Sequence, residues 1–175
     1  MHTNDDGFET LSDAGDSPPE RKKKPGLSLK ARAIGYLSRR EHSRRELQRK
    51  LAPHAESPEQ LEQLLDSLER ENWLSNQRFA QSLVHRRAPR QGAGLILQEL
   101  KQHGLGDAAI AELGQQLHGT EQERAQAVWE KKFSALPVDP KDYARQFRFL
   151  ASRGFSTECV RRILGSIPYQ SDPQS

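Results

Sequence analysis

The chain has 175 residues, and its first candidates for chemistry are six histidines (His2, His42, His54, His85, His103 and His118) and one cysteine, Cys159. No two histidines stand at a metal-binding helical spacing, and His-Glu-x-x-His is absent. Cys159 lies beside Val160 with no histidine near it in sequence, so it reads as a partly buried side chain rather than a nucleophile. A single cysteine excludes an intrachain disulfide and a cysteine-based zinc cage. Gly92-Ala93-Gly94 and Gly104-Leu105-Gly106 lack both the Lys-Ser/Thr of a phosphate loop and a preceding strand, which leaves them as turn glycines. The acidic pairs Glu69/Glu71 and Glu121/Glu123 read as charge at helix ends rather than as an acid–base dyad. No catalytic residue, cofactor site or metal site is assigned, and the chain is not expected to be an enzyme.

What remains is basic surface. From Lys30 to Lys50 there are eight basic residues and two acids, among them Arg39, Arg40, Arg44, Arg45, Arg49 and Lys50. Arg45 and Arg49 share one helix face at i, i+4, opposite the apolar edge Leu47/Leu51. Arg86, Arg87 and Arg90 sit at or beyond a helix C-terminus, where cations also complement the helix dipole. Arg161 and Arg162 lie opposite Ile163 and Leu164. Such side chains can track a phosphate backbone, and the competing reading of each is a solvated helix face. The tryptophans and phenylalanines fall mostly on helical apolar stripes, so they are core before they are stacking platforms. Residues 1–20 hold six acids and no Lys or Arg, whereas residues 21–167 hold all 27 basic residues against 17 acids. A basic body with an acidic arm points to a polyanion partner. The arm either competes for that surface or only aids solubility.

The elements that must carry these residues repeat. Leu51, Leu100 and Leu150 head three passes of one pattern, about 50 residues apart. Four residues on stand Ala55, Gly104 and Gly154; ten on stand Leu61, Ile110 and Val160; thirteen on stand Leu64, Leu113 and Ile163. Each pass reads as a helix, a turn and a second short helix. Helix starts are expected at Ser28, Ser43, Ser57, Ser75, Asp107, Thr120, Asp139 and Ser156, with capping boxes at Ser43–Glu46 and Thr120–Glu123. Trp73-Leu74 forms an apolar joint. The count is nine short helices and no strand, an all-α array of helical repeats. Hydrophobic residues are 34% of the chain, which suits thin repeats that lean on their neighbours. The expected division is a disordered acidic arm over 1–26 that ends in Arg21-Lys22-Lys23-Lys24, repeats over 27–90, 91–136 and 137–168, and a disordered tail over 169–175. The basic end of the arm is either a phosphate contact or a solvated linker. No apolar run is long enough to cross a bilayer and no secretory signal stands at the N-terminus, so a cytoplasmic protein is expected.

Tyr36-Leu37-Ser38-Arg39-Arg40-Glu41-His42-Ser43-Arg44-Arg45-Glu46-Leu47, followed by Lys50-Leu51, resembles the N-terminal signature of the RecX family of bacterial recombination regulators. Trp73-Leu74-Ser75-Asn76-Gln77-Arg78-Phe79-Ala80 with Arg86-Arg87 resembles its second signature. Glu99-Leu100 with Gly104-Leu105, and Phe149-Leu150 with Arg153-Gly154-Phe155-Ser156, are similar to its later repeats. The resemblance runs from about Ser28 to Ile167. It departs at Ser75-Asn76, where the family usually has acidic residues before Arg-Phe-Ala. The resemblance implies three tandem three-helix units in a curved, elongated monomer. It also implies a role: binding in the groove of the RecA–single-stranded DNA filament and suppressing strand exchange, ATP hydrolysis and coprotease activity. Its implied partners are that filament and single-stranded DNA, with double-stranded DNA as a further ligand and no membrane. The rival reading from the residues is a stand-alone nucleic-acid binder of helix-turn-helix type, with Ser43–Leu68 as the unit.

Overall fold

The computed structural model describes residues 26–167. The acidic arm with its basic end, and the tail beyond residue 168, lie outside the described residues. Within them are nine α-helices and no strand. They are α1 (Leu29–Leu37), α2 (Arg44–Leu51), α3 (Pro58–Arg70), α4 (Asn76–Arg87), α5 (Ala93–Gln102), α6 (Asp107–Gly119), α7 (Glu121–Glu130), α8 (Pro140–Ala151) and α9 (Thr157–Leu164).

Local chemistry accounts for most boundaries. Ser28, Ser43, Ser57, Ser75, Asp139 and Ser156 each accept, through the side chain, a backbone N–H two or three residues into the helix. Pro58 and Pro140 open α3 and α8, where a missing N–H costs nothing. After α5 and α8 the chain turns through Gly104 and Gly154, at φ of 83° and 82°. Leu105 N–H then reaches back to Leu100 O at 3.3 Å, and Phe155 N–H to Leu150 O at 3.4 Å, which closes both helices the same way. Ala55, at the same register in the first pass, is extended at φ −83°, after a 3₁₀ turn that contains Pro53.

Three expectations are corrected. Gly106, not Asp107, precedes α6, and Asp107 is its first residue. Thr120 makes no side-chain cap, because its hydroxyl donates to Leu117 O and accepts from Arg124 Nε instead. Trp73 is 45% exposed, so Leu74 alone buries at that joint.

Three separate apolar clusters define the units. The first joins α1, α2 and α3 through Ala33, Leu47, Leu51, Leu61, Leu65, Leu68 and Leu74. The second joins α4, α5 and α6 through Phe79, Leu83, Ile96, Leu100, Leu105 and Leu117. The third joins α7, α8 and α9 through Ala125, Val128, Trp129, Tyr143, Leu150, Phe155, Val160 and Ile163. Fully burying a leucine or phenylalanine contributes roughly 1.5–3 kcal/mol, so each small cluster needs its neighbours. The division at 90 and 136 expected from sequence set α4 with the first unit and α7 with the second. The apolar faces of these helices belong to the second and third clusters.

The junctions between units are polar and follow one plan. The start of the middle helix of one unit docks on the turn after the middle helix of the next. Ser43 and Gly92, each eight residues before its leucine, occupy the docking position. At the first junction Ser43 Oγ shares a hydrogen bond with His103 Nδ1 at 3.0 Å, and Arg45 Nη1 donates to Gln102 O at 3.0 Å. The Arg44 backbone N–H donates to Asn76 Oδ1 at 2.9 Å, which links two units. At the second junction Gly92 N–H donates to Arg153 O at 2.8 Å and Gly94 N–H to Gly154 O at 3.1 Å. Glu121, buried there, accepts from Ala93 N–H at 3.1 Å and from Ser156 Oγ at 2.9 Å. Among the described residues no hydrogen bond or ion pair joins the first unit to the third.

Candidate polyanion interface

The arginine-rich face around α2 divides into bound and free cations. Arg44 is held by three carboxylates of α3: Glu62 at 2.6 Å, Asp66 at 2.7 Å and Glu69 at 2.7 Å. Burial opposes its charge, but the three carboxylates outweigh that and hold its pKa above the ordinary arginine range. Arg40 is paired with the buried Glu46 and donates to Glu41 O at 3.0 Å. Burial would raise the Glu46 pKa, yet Arg40, His42 and Lys50 together hold it below the usual carboxylate value. The capping box expected at Ser43 is therefore half formed, with Glu46 turned to these cations. Lys50 stands 3.8 Å from Glu46 and 5.0 Å over the ring of Tyr36. Arg45 is exposed but its tip is engaged by Gln102 O across the junction. Arg39 and Arg49 are exposed and form no ion pair among the described residues. Arg45 and Arg49 edge an open groove of about 600 Å³ between the end of α2 and the start of α3.

The other predicted residues divide likewise. Arg87 makes a two-pronged contact with Glu99, at 2.9 and 3.1 Å. Arg162 is paired with Glu158, one turn before it. Arg86, Arg90 and Arg161 are exposed and, among the described residues, unpaired. Of the predicted cations, those free to meet an external anion among the described residues are thus Arg39, Arg49, Arg86, Arg90 and Arg161, spread over all three units.

Sequence reasoning passed over a second basic surface. Residues 131–165 carry eight basic side chains and three acids. Arg145, paired with Asp142, and Arg153 lie over the half-buried Phe133 and Phe149, and the exposed Lys131, Lys132 and Arg148 adjoin those rings in sequence. The interleaving of Arg145, Phe147, Arg148 and Phe149 along α8 was a local signal for it. Among the described residues no group of three or more His, Cys, Asp or Glu side chains could hold a metal ion, and no helix is long and apolar enough to cross a membrane. Burial lifts the Cys159 thiol to about 11, which keeps it protonated at neutral pH.

The family descriptions "RecX, first three-helix domain", "RecX, second three-helix domain" and "RecX, third three-helix domain" match residues 30–68, 75–113 and 120–164. The chain belongs to the RecX family. The regulatory protein RecX of Ralstonia nicotianae is 61% identical over 138 residues, covering 79% of this chain and 87% of that one. That of Herbaspirillum seropedicae is 52% identical over 152 residues, covering 87% and 99%. The crystal structure of RecX from Lactobacillus salivarius superposes with a TM-score of 0.64 at 22% identity, over 77% of this chain and 91% of that one, and shares the fold. The three matched segments fall in the three apolar clusters, so a family domain is one cluster of three helices.

Proposed function

We propose that this RecX-family regulator binds the RecA–single-stranded DNA filament in the cytoplasm and mainly inhibits its recombinase, ATPase and coprotease activities in DNA repair and the SOS response. The observation that carries this reading is the spread of unpaired cations over three serially linked units. A compact binder would gather its cations on one helix, whereas an array with unpaired cations in every unit can follow a repeating polyanion. Regulation then needs no bond chemistry, only different affinities for two filament states. A monomer suffices, since each unit repeats the contact. Bare single-stranded DNA, and double-stranded DNA as a further ligand, bind the same cations through their phosphates.

The test is RecA ATP hydrolysis on single-stranded DNA with the protein titrated in. Inhibition is expected well below one molecule per recombinase subunit. Full ATPase activity at protein concentrations that saturate bare DNA would overturn the filament reading and leave the stand-alone nucleic-acid binder.

A further inference from the structure

The third unit carries an arrangement that phosphate binding alone does not require. Four planar groups follow one another at the junction of the α7 end with α8. The Arg145 guanidinium lies 5.6 Å from the Phe133 ring centre. Phe133 meets Phe149 edge to face, with centroids 5.1 Å apart and planes at 87°. Arg153 then lies 3.7 Å over Phe149. Its Nη1 donates to Phe149 O at 2.9 Å, which fixes the guanidinium against the ring. Among the described residues no carboxylate and no second ring engages Arg153. Arg148, next in sequence to Phe149, and Lys131 and Lys132, just before Phe133, are exposed and also unpaired among the described residues. Arg90 of the second unit lies two residues before Gly92, whose N–H is bound to Arg153 O.

We propose that this Arg–Phe–Phe–Arg strip is a base-stacking contact for single-stranded nucleic acid, with Arg153 as the platform and the surrounding cations as phosphate anchors. A guanidinium held 3.7 Å over a ring centre and still partly exposed can take a nucleobase with little ordering left to do. Stacking accepts any base because every base has a π face, which suits a protein that follows strand rather than sequence. An acidic peptide would use the charges but not the planes. The inference deepens the filament reading by naming where exposed strand touches the chain.

The experiment is fluorescence anisotropy with an oligothymidylate of about 20 nucleotides, an abasic oligomer of the same length and the matching ribo-oligomer. Wild type should bind the base-bearing strand about tenfold more tightly than the abasic one. Arg153→Lys keeps the charge and removes the plane, so it should erase most of that preference and leave the salt slope unchanged. Phe149→Leu should act in the same direction, and if it disturbs folding the lysine variant still decides. A base-dependent loss on DNA, RNA or both supports the stack and tells which strand is the ligand. Equal wild-type affinity for base-bearing and abasic strands, or an equal loss on both in Arg153→Lys, would overturn it and reduce the strip to charge. No recombinase is present in this assay, so its outcome is independent of the ATPase test.

Discussion

His42 shows what burial does to a single side chain here. It is 2% exposed, with Nδ1 2.9 Å from Arg40 O and Nε2 3.8 Å from Glu46. Burial lowers its pKa and outweighs the opposite pull of the Arg40 carbonyl and Glu46, while Arg40 and Lys50 add to the lowering. The unfolded chain, with an ordinary value of about 6.5, therefore takes up the proton first as pH falls. Stability from this group is present above that value and is lost as pH drops towards the folded pKa. The denaturation midpoint should fall as pH drops through about 6.5 and below, and His42→Asn should flatten that slope. A slope unchanged in the variant would place the titration elsewhere. The same scale explains which site residues were legible. The partner of Arg162, Glu158, stands at i−4 and was readable. The partners of Arg44 lie 18 and 25 residues away for Glu62 and Glu69, and nothing local announces them.

Among the elements, the helices were legible and their junctions were not. Serine and aspartate caps act within three residues, and the leucine register marks each buried stripe, so helix number and the glycine turns follow from local pattern. The end of α1 at Leu37 is a turn in which Ser38 N–H reaches Ile34 O and Arg39 N–H reaches Tyr36 O, which a sequence pattern places only to within a residue or two. The contacts between units join residues 60 apart for Ser43 and His103, and 28 apart for Ala93 and Glu121. Gly92 makes the difference concrete. From sequence it is a turn glycine, but a Cβ there would sit 2.2 Å from Gly154 O. At the first junction the glycine turn has room, since a Cβ on Gly104 would meet Arg45 Cδ at 3.8 Å. Gly92→Ala should therefore force α5 off the third unit at a cost of about 1–3 kcal/mol or more. Hydrogen exchange should speed at Gly94 and leave the α2 amides protected. An unchanged urea midpoint with Gly94 still protected would mean that the two units do not dock backbone to backbone.

For the whole molecule, the pairing pattern separates cations that hold the array together from cations that can hold something else. Arg44 reaches three carboxylates, so Arg44→Glu would set a fourth negative charge among Glu62, Asp66 and Glu69. Solvent screens carboxylates as exposed as Glu62 and Asp66, which brings each contact below the roughly 1.5–3 kcal/mol of a sheltered charge-assisted bond, so a loss of stability on the order of 2 kcal/mol is expected. Arg49 and Arg86 are exposed, unpaired among the described residues and in different units. Arg49→Glu with Arg86→Glu should hardly move the melting temperature, because exposed charges contribute little to stability. If both touch phosphates, the log–log salt dependence of single-stranded DNA binding should flatten by about two units, one per lost contact. Salt titrations of the wild type, the double variant and Arg44→Glu at a temperature where all are folded separate the two roles. A flatter slope in Arg44→Glu with none in the double variant would show that paired arginines exchange partners on binding, and the interface would then have to be redrawn around α3.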